Sequence, residues 1–133
     1  MTKVAVAIIE KDGKILIARR KKDDPLIDKW EFPGGKIESG ETPAQCLKRE
    51  LYEELGIDTK VGEFLCSSFY AYSHISIELL SYKVYHLNGE YKVNDHAEIK
   101  WVAPLELRRY DFPEADKPII DKLLKDIYPI DCP

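Results

Sequence analysis

Residues Gly35–Ile57 read GKIESGETPAQCLKRELYEELGI, and inside them lies a helix with two marked ends and two different faces. Thr42 is an N-cap candidate, and Pro43 follows at the first helical position, where a missing N–H costs nothing. Gln45 stands three residues after Thr42, the spacing of a capping box. Gly56 closes the segment, as a residue free to turn left-handed closes many helices. Between these ends Ala44, Leu47, Leu51 and Leu55 recur at three- and four-residue steps and form an apolar stripe. Glu50, Glu53 and Glu54 occupy positions i, i+3 and i+4, which brings their side chains within about 5–6 Å of one another. Their mean direction is about 110° away from the stripe on a helical wheel. Three carboxylates so close repel unless a cation sits among them, and hard oxygen ligands at that density suit Mg²⁺ or Mn²⁺. A solvated acidic face has the same spacing, so the helix alone leaves both readings open.

The frame around the helix separates them. Gly35, Glu41 and Arg49-Glu50-Leu51-Tyr52-Glu53-Glu54-Leu55-Gly56-Ile57 resemble the Nudix box, which runs Gly, five residues, Glu, seven residues, Arg-Glu-aliphatic-any-Glu-Glu-any-Gly-aliphatic. Every fixed position matches, a coincidence on the order of 10⁻⁹ per starting point at average residue usage. The resemblance implies a loop–helix–loop that binds metal and diphosphate. It makes Glu50, Glu53 and Glu54 metal ligands, joined by the carbonyl of Gly34 or Gly35. Glu41 would act through water or orient the loop, and Arg49 would pair with the glutamates and fix their rotamers. In MutT-like members of the family, water attacks the β-phosphorus of a nucleoside triphosphate and releases monophosphate and pyrophosphate. Glu50 is the first candidate for the base that takes the water's proton. Glu98 is a second, because His96-Ala97-Glu98-Ile99-Lys100-Trp101 resembles the segment where relatives place a further metal-binding glutamate. A surface carboxylate at a strand start would read the same.

Outward from the box, Val4–Ile9 is an apolar, β-branched strand. Lys11-Asp12-Gly13-Lys14 turns it into a second strand, Ile15–Ala18. A charged loop over Lys21–Lys29 carries Pro25, and Trp30-Glu31-Phe32 is a short extended piece that Pro33-Gly34-Gly35 stops. Ile57 to about Leu87 is β-like up to the Asn88-Gly89 turn. Glu98–Val102 is a short strand, Leu105–Leu107 a helical turn, and a last helix runs from about Lys117 to Ile127. The order β-β-β-α-β-β-β-α predicts an α+β fold, a Nudix-type mixed β-sheet sandwiched between helices, with residues 1–133 as a single domain.

The substrate is to be read outside the box. Trp30-Glu31-Phe32-Pro33-Gly34-Gly35-Lys36 resembles the approach to the box in MutT-type enzymes, which places Phe32 near a base pocket and Lys36 near a phosphate. Phe32 suits a simple core position equally well. Arg19 and Arg20 end the second strand where relatives place an arginine on the nucleotide, and Arg20 is preferred. Asp111–Ile120 resembles the C-terminal segment of MutT-like proteins, with Asp116 where they carry an asparagine. The Ala115-Asp116-Lys117-Pro118 pattern is similar to that of CTP pyrophosphohydrolases. An ionised Asp116 only accepts hydrogen bonds and would suit an exocyclic amino group, which favours a cytosine nucleotide, plain or modified, over 8-oxo-dGTP. Asp116 also stands where the last helix needs an N-cap. Phe69-Tyr70-Ala71-Tyr72 either walls a base pocket or packs in the core.

Composition agrees with an enzyme of small nucleotides. The chain has 133 residues, 44% apolar, with a net charge of −4. A basic face for long nucleic acid is not indicated, whereas bridging Mg²⁺ lets an acidic protein take polyphosphate. Cys46, Cys66 and Cys132 cannot all pair and read as free thiols of a reducing compartment. The apolar run at the N-terminus is too short for a membrane span, so a cytoplasmic monomer or homodimer with no membrane partner is expected.

Overall fold

The structure is a computed structural model that describes residues 1–21 and 29–129. Most of the loop expected over Lys21–Lys29, Pro25 included, lies outside the described residues, as does Cys132. Strand β1 (Thr2–Lys11) is the spine of the fold. Its Val6 and Ile8 enter one apolar cluster and its Ala5, Ala7 and Ile9 another. A strand covered on both faces needs no polar alternation, which is why Val4–Ile9 reads as an unbroken apolar run. Asp12 and Gly13, with φ of 53° and 77°, turn the chain into β2 (Lys14–Arg19). Positive φ at both central residues is what a two-residue hairpin of matching twist requires.

Strands β3 (Trp30–Glu31) and β7 (Glu98–Val102) flank β2 on either side. The β-like region after the box is one long antiparallel hairpin, β5 (Asp58–Tyr72) and β6 (Ile75–Asn88). β6 runs parallel to β1, from Thr2 opposite Ile77 to Ile9 opposite Val84.

The expected break falls at Phe32-Pro33, where β3 ends. Gly34 and Gly35 are not part of it, because Gly34–Lys36 forms a further strand, β4, antiparallel to β1 with Ala5 opposite Gly35. The Gly34 backbone lies so close to the Ala5 carbonyl that a Cβ would overlap its oxygen. Glycine here serves a close approach between strands rather than a turn.

Helix α1 (Pro43–Leu55) has the predicted ends. Thr42 Oγ1 accepts from the Gln45 amide at 3.1 Å, and Gln45 Oε1 accepts from the Thr42 amide at 2.9 Å. Gly56, at φ 70°, donates to the Tyr52 carbonyl at 2.9 Å. The buried stripe is Cys46, Leu47, Leu51 and Leu55, and Ala44 is exposed. The helix is rolled toward the box loop, so that Cys46 Sγ lies 3.4 Å from the Gly35 carbonyl. The last carbonyls of α1 are taken up by a later segment: the amides of Lys92 and Asn94 donate to Leu55 and Glu54 at 2.8 and 3.2 Å. Asn94 Nδ2 reaches the Glu53 carbonyl at 3.1 Å.

Pro104–Arg109 and Glu114–Asp116 are short 3₁₀ turns, the first over the predicted helical turn. Helix α2 (Lys117–Ile127) buries Ile119, Ile120 and Leu123. It packs with Val6 and Ile8, whereas α1 packs with Ala5, Ala7 and Ile9. Since neighbouring residues of a strand face opposite ways, the two helices cover opposite faces of a mixed sheet, the predicted α+β arrangement. No helix among the described residues is long and apolar enough to cross a membrane.

Candidate active site

The α1 face opposite the stripe is organised around one arginine. Arg49 Nε and Nη2 donate to Glu41 Oε2 and Oε1 at 2.7 and 2.9 Å, while Nη1 donates to Glu50 Oε1 at 2.6 Å. A planar guanidinium is shaped for this double grip on a carboxylate. Nη2 also reaches the Lys36 carbonyl at 3.3 Å, which ties the helix to β4. The Arg49 hydrogen bonds, helped by the Glu38 amide, hold the Glu41 carboxyl down to about 2. Burial pushes the Cys46 thiol behind them up to about 11, so it serves as packing rather than as a nucleophile.

Glu50 and Glu54 lie inward of this corner. The Glu50 carboxyl rests against Gly35, where a Cβ would overlap it. Glu54 is buried, and its Oε1 has no hydrogen-bond partner among the described residues. Burial first, then the hydrogen bond and charge of Glu50 and the charge of Glu31, push the Glu54 carboxyl up to about 9. An unsatisfied buried carboxyl oxygen beside a second carboxylate is the environment that a divalent cation relieves. The donor set therefore fits such an ion: hard oxygens from Glu50 and Glu54, with Gly35 against the Glu50 carboxyl.

The three-carboxylate cluster expected from the helical spacing needs correction. Among the described residues no three acidic, histidine or cysteine side chains converge on one point. Arg49 stands between Glu50 and Glu53, 3.8 Å from the latter, and the Glu53 side chain is 56% exposed. Spacing on a helix gives proximity of Cβ atoms but not convergence of carboxyl groups.

A cleft of about 290 Å³ adjoins the box. Gly34 and Gly35 line it together with Phe32, Arg20, Glu31 and Asp116. Phe32 is both core and cleft wall, since it is buried and packs on Phe112 at 5.1 Å between ring centroids. Asp116 does not cap α2: its side chain makes no capping hydrogen bond and is buried at the cleft. Burial, then Glu31, push its carboxyl up to about 7, against the opposing pull of Arg20. Near neutral pH the carboxyl thus offers a hydrogen-bond donor when protonated, beside the acceptor expected of an ionised Asp116.

Other expectations fall outside this cleft. Lys36 is exposed and does not line it, and only its backbone carbonyl serves the corner. Glu98 pairs with Arg19 at 2.9 Å and also does not line the cleft. Of the aromatic run, Phe69 is 61% exposed and so is not core, while Tyr72 alone lines the cleft.

Two further residues bear on the site, and the motif marks neither. Glu31 Oε1 lies 2.6 Å from Arg20 Nη2, and its Oε2 lies 2.7 Å from the buried His96 Nε2. The available signal was the charge of Glu31 between two apolar aromatics, Trp30 and Phe32. His96 gave none, because a histidine before a strand is an ordinary loop residue.

The chain belongs to the Nudix family of hydrolases: the model of the NUDIX domain matches residues 4–122. Among curated relatives, the CTP pyrophosphohydrolase of Escherichia coli K12 is 39% identical over 93% of this chain and 92% of its own. The 8-oxo-dGTP diphosphatase of the same organism is 38% identical over 90% of this chain and 94% of its own. The solution structure of the E. coli ORF135 protein superposes with a TM-score of 0.86 at 38% identity, covering 98% of this chain and 95% of that one.

Proposed function

We propose that this chain hydrolyses a nucleoside triphosphate to monophosphate and pyrophosphate, preferring a cytosine nucleotide, plain or modified. One observation carries the reading. Gly34 and Gly35 line the cleft, and the carboxyl of Glu50 rests against Gly35. A base held between Phe32, Arg20 and Asp116 would set its phosphates beside Glu50 and Glu54. Glu50 and Glu54, with a carbonyl of Gly34 or Gly35 and with Glu53 near, would hold Mg²⁺ or Mn²⁺. When bound, such an ion offsets phosphate charge and lowers the pKa of water.

The chain's own residues do the rest. Arg49 fixes the rotamer of Glu50 and, through Glu41, the loop before the helix. Glu50 is then the group placed to accept the proton of attacking water, and Glu98, held by Arg19, is the reserve candidate. Asp116 sets the base preference. Its carboxyl, poised near neutrality, offers an acceptor for an amino group and, when protonated, a donor for the adjacent ring nitrogen. The E. coli relative named CTP pyrophosphohydrolase supports that choice, and the relative named 8-oxo-dGTP diphosphatase supplies the competing one. A cytoplasmic setting is part of the same reading and rests on the free thiols of Cys46 and Cys66.

The test is turnover on CTP, 5-modified CTP and 8-oxo-dGTP with Mg²⁺, scoring pyrophosphate against orthophosphate. Orthophosphate alone would sink β-phosphorus attack. Asp116→Leu, which offers neither donor nor acceptor, should lower the ratio of cytosine to guanine turnover, whereas Asp116→Asn, which offers both, should keep most of it; an unaltered ratio in Asp116→Leu would remove Asp116 from base selection. Glu53→Gln should abolish turnover in a folded protein.

A further inference from the structure

We propose that His96 is a positioning residue for the base end of the cleft, holding Glu31 and, through Glu31, Arg20. The proposal rests on the cleft being the nucleotide site. His96 belongs to neither the box nor the cleft lining. Its backbone is nevertheless tethered on both sides. Asn94 donates to the end of α1, and the Ala97 amide donates to the Arg19 carbonyl at the end of β2 at 2.9 Å. The imidazole is thus located by the fold itself, without help from any substrate.

The contact it makes is specific. A carboxylate only accepts, so the 2.7 Å contact to Glu31 Oε2 requires a proton on His96 Nε2. Arg20 occupies the other carboxyl oxygen at 2.6 Å. With a donor on each oxygen, Glu31 cannot rotate, and the Arg20 guanidinium keeps its place on the wall that Asp116 shares. The cost of keeping a histidine here is visible. Its side chain is 6% exposed, and Nδ1 has no hydrogen-bond partner among the described residues. A leucine would fill the space without that desolvation penalty. What offsets the penalty is the single bond from Nε2 to a carboxylate that faces the cleft.

The consequence is a division of effects. Losing the Nε2 donor frees Glu31 and loosens Arg20, which weakens capture of the base. The α1 corner of Arg49, Glu41 and Glu50 is untouched. Glutamine carries its amide donor where imidazole carries Nε2, whereas asparagine is one methylene too short.

The experiment measures kcat and KM for CTP with wild type, His96→Leu, His96→Gln and Glu31→Gln, each checked for folding by its melting temperature. His96→Leu should raise KM about tenfold, the size of effect that outer-shell partners commonly have, with kcat held within about twofold. His96→Gln should return KM most of the way. Adding Glu31→Gln to His96→Leu should cost clearly less than the sum of the two single losses, because His96 acts through Glu31. An unchanged KM, a kcat that falls as far as KM rises, or additive losses in the double variant would each overturn the proposal. Should His96→Leu fail to fold, His96→Asn replaces it, and equal KM values for Asn and Gln would overturn it. If wild type turns over no nucleotide at all, the cleft reading fails by itself. The positioning is then read from the Nε–Hε resonance of Arg20, expected to move in His96→Leu and to return in His96→Gln. A resonance unmoved by His96→Leu overturns the proposal.

Discussion

Replacing Gly34 and Gly35 one at a time by alanine should separate the fold from the chemistry. A Cβ on Gly35 meets the carboxyl end of Glu50, a flexible side chain that can swing away. Glu50 then leaves Arg49 Nη1, now at 2.6 Å. A hydrogen bond between charged groups contributes about 1.5–3 kcal/mol when sheltered. Here the side chains are 27% and 17% exposed, and the loss is nearer the low end of that range. Removing the freedom of a glycine from the unfolded chain returns roughly 0.4–1 kcal/mol. The net destabilisation is about 1 kcal/mol or less, some 4 °C in melting temperature for a chain of this size. Turnover should fall about 100-fold or more, since a catalytic group displaced by an ångström commonly costs that much. Gly34→Ala is the opposite case. Its Cβ meets the Ala5 carbonyl, which is backbone and cannot yield, and φ there is 153°. Roughly 3 kcal/mol and 10 °C or more should be lost. Thermal melts and pyrophosphate release from CTP with excess Mg²⁺ are the assays. Gly35→Ala turning over at the wild-type rate would refute the role given to Glu50, and Gly34→Ala melting within 2–3 °C of wild type, under about 1 kcal/mol, would refute the close-approach argument.

Three more outcomes are expected. Mg²⁺ should raise the melting temperature by relieving Glu50 and Glu54, with about 2.7 kcal/mol gained at a hundred times Kd; Glu54→Gln should blunt the rise, and an equal rise in both proteins would remove Glu54 from the metal site. Glu41 is held at about 2 against an ordinary 4.5, so its ionised form stabilises the fold above pH 4.5 and that contribution is lost as pH falls toward 2; in urea melts Glu41→Gln should be less stable than wild type at pH 6, and the gap should close near pH 2. Asp116 is shifted the other way, from 3.8 to about 7, so its penalty is absent below pH 3.8 and grows until pH passes 7; Asp116→Asn should melt higher than wild type at pH 8 but not at pH 4, by roughly 2–4 kcal/mol, and a pH-independent difference would contradict the shift.

The fold class was legible because Val4–Ile9, Thr42–Gly56 and Lys117–Ile127 each carry their own period and punctuation. Strand β4 was not, since glycines beside a proline signal a turn unless the strand they approach is known. Ala44 against Cys46 shows the limit of periodicity: the stripe gives a face to within a residue, and packing on β4 sets the final roll. In the site, Arg49 and Glu41 are adjacent only in space, and the motif carried that information. Their bidentate geometry, the burial of Glu54 and the exposure of Glu53 depend on side-chain surroundings that spacing does not encode. Glu31 and His96 stand far apart in the chain, and nothing local marks either as the other's partner.

Strand β1 ties the working corner of the protein to the chronology of its synthesis. Its residues leave the ribosome well before their parallel neighbours, Ile77–Val84. At about 5–20 residues per second the apolar run Val4–Ile9 waits several seconds with one edge unpaired. Pairing so distant in sequence is also slow once the whole chain is free. The close seat of Gly34 on Ala5 uses the opposite edge of β1 from that late pairing, so a nascent chain that stops short of β6 carries the entire motif on a strand with one edge still open.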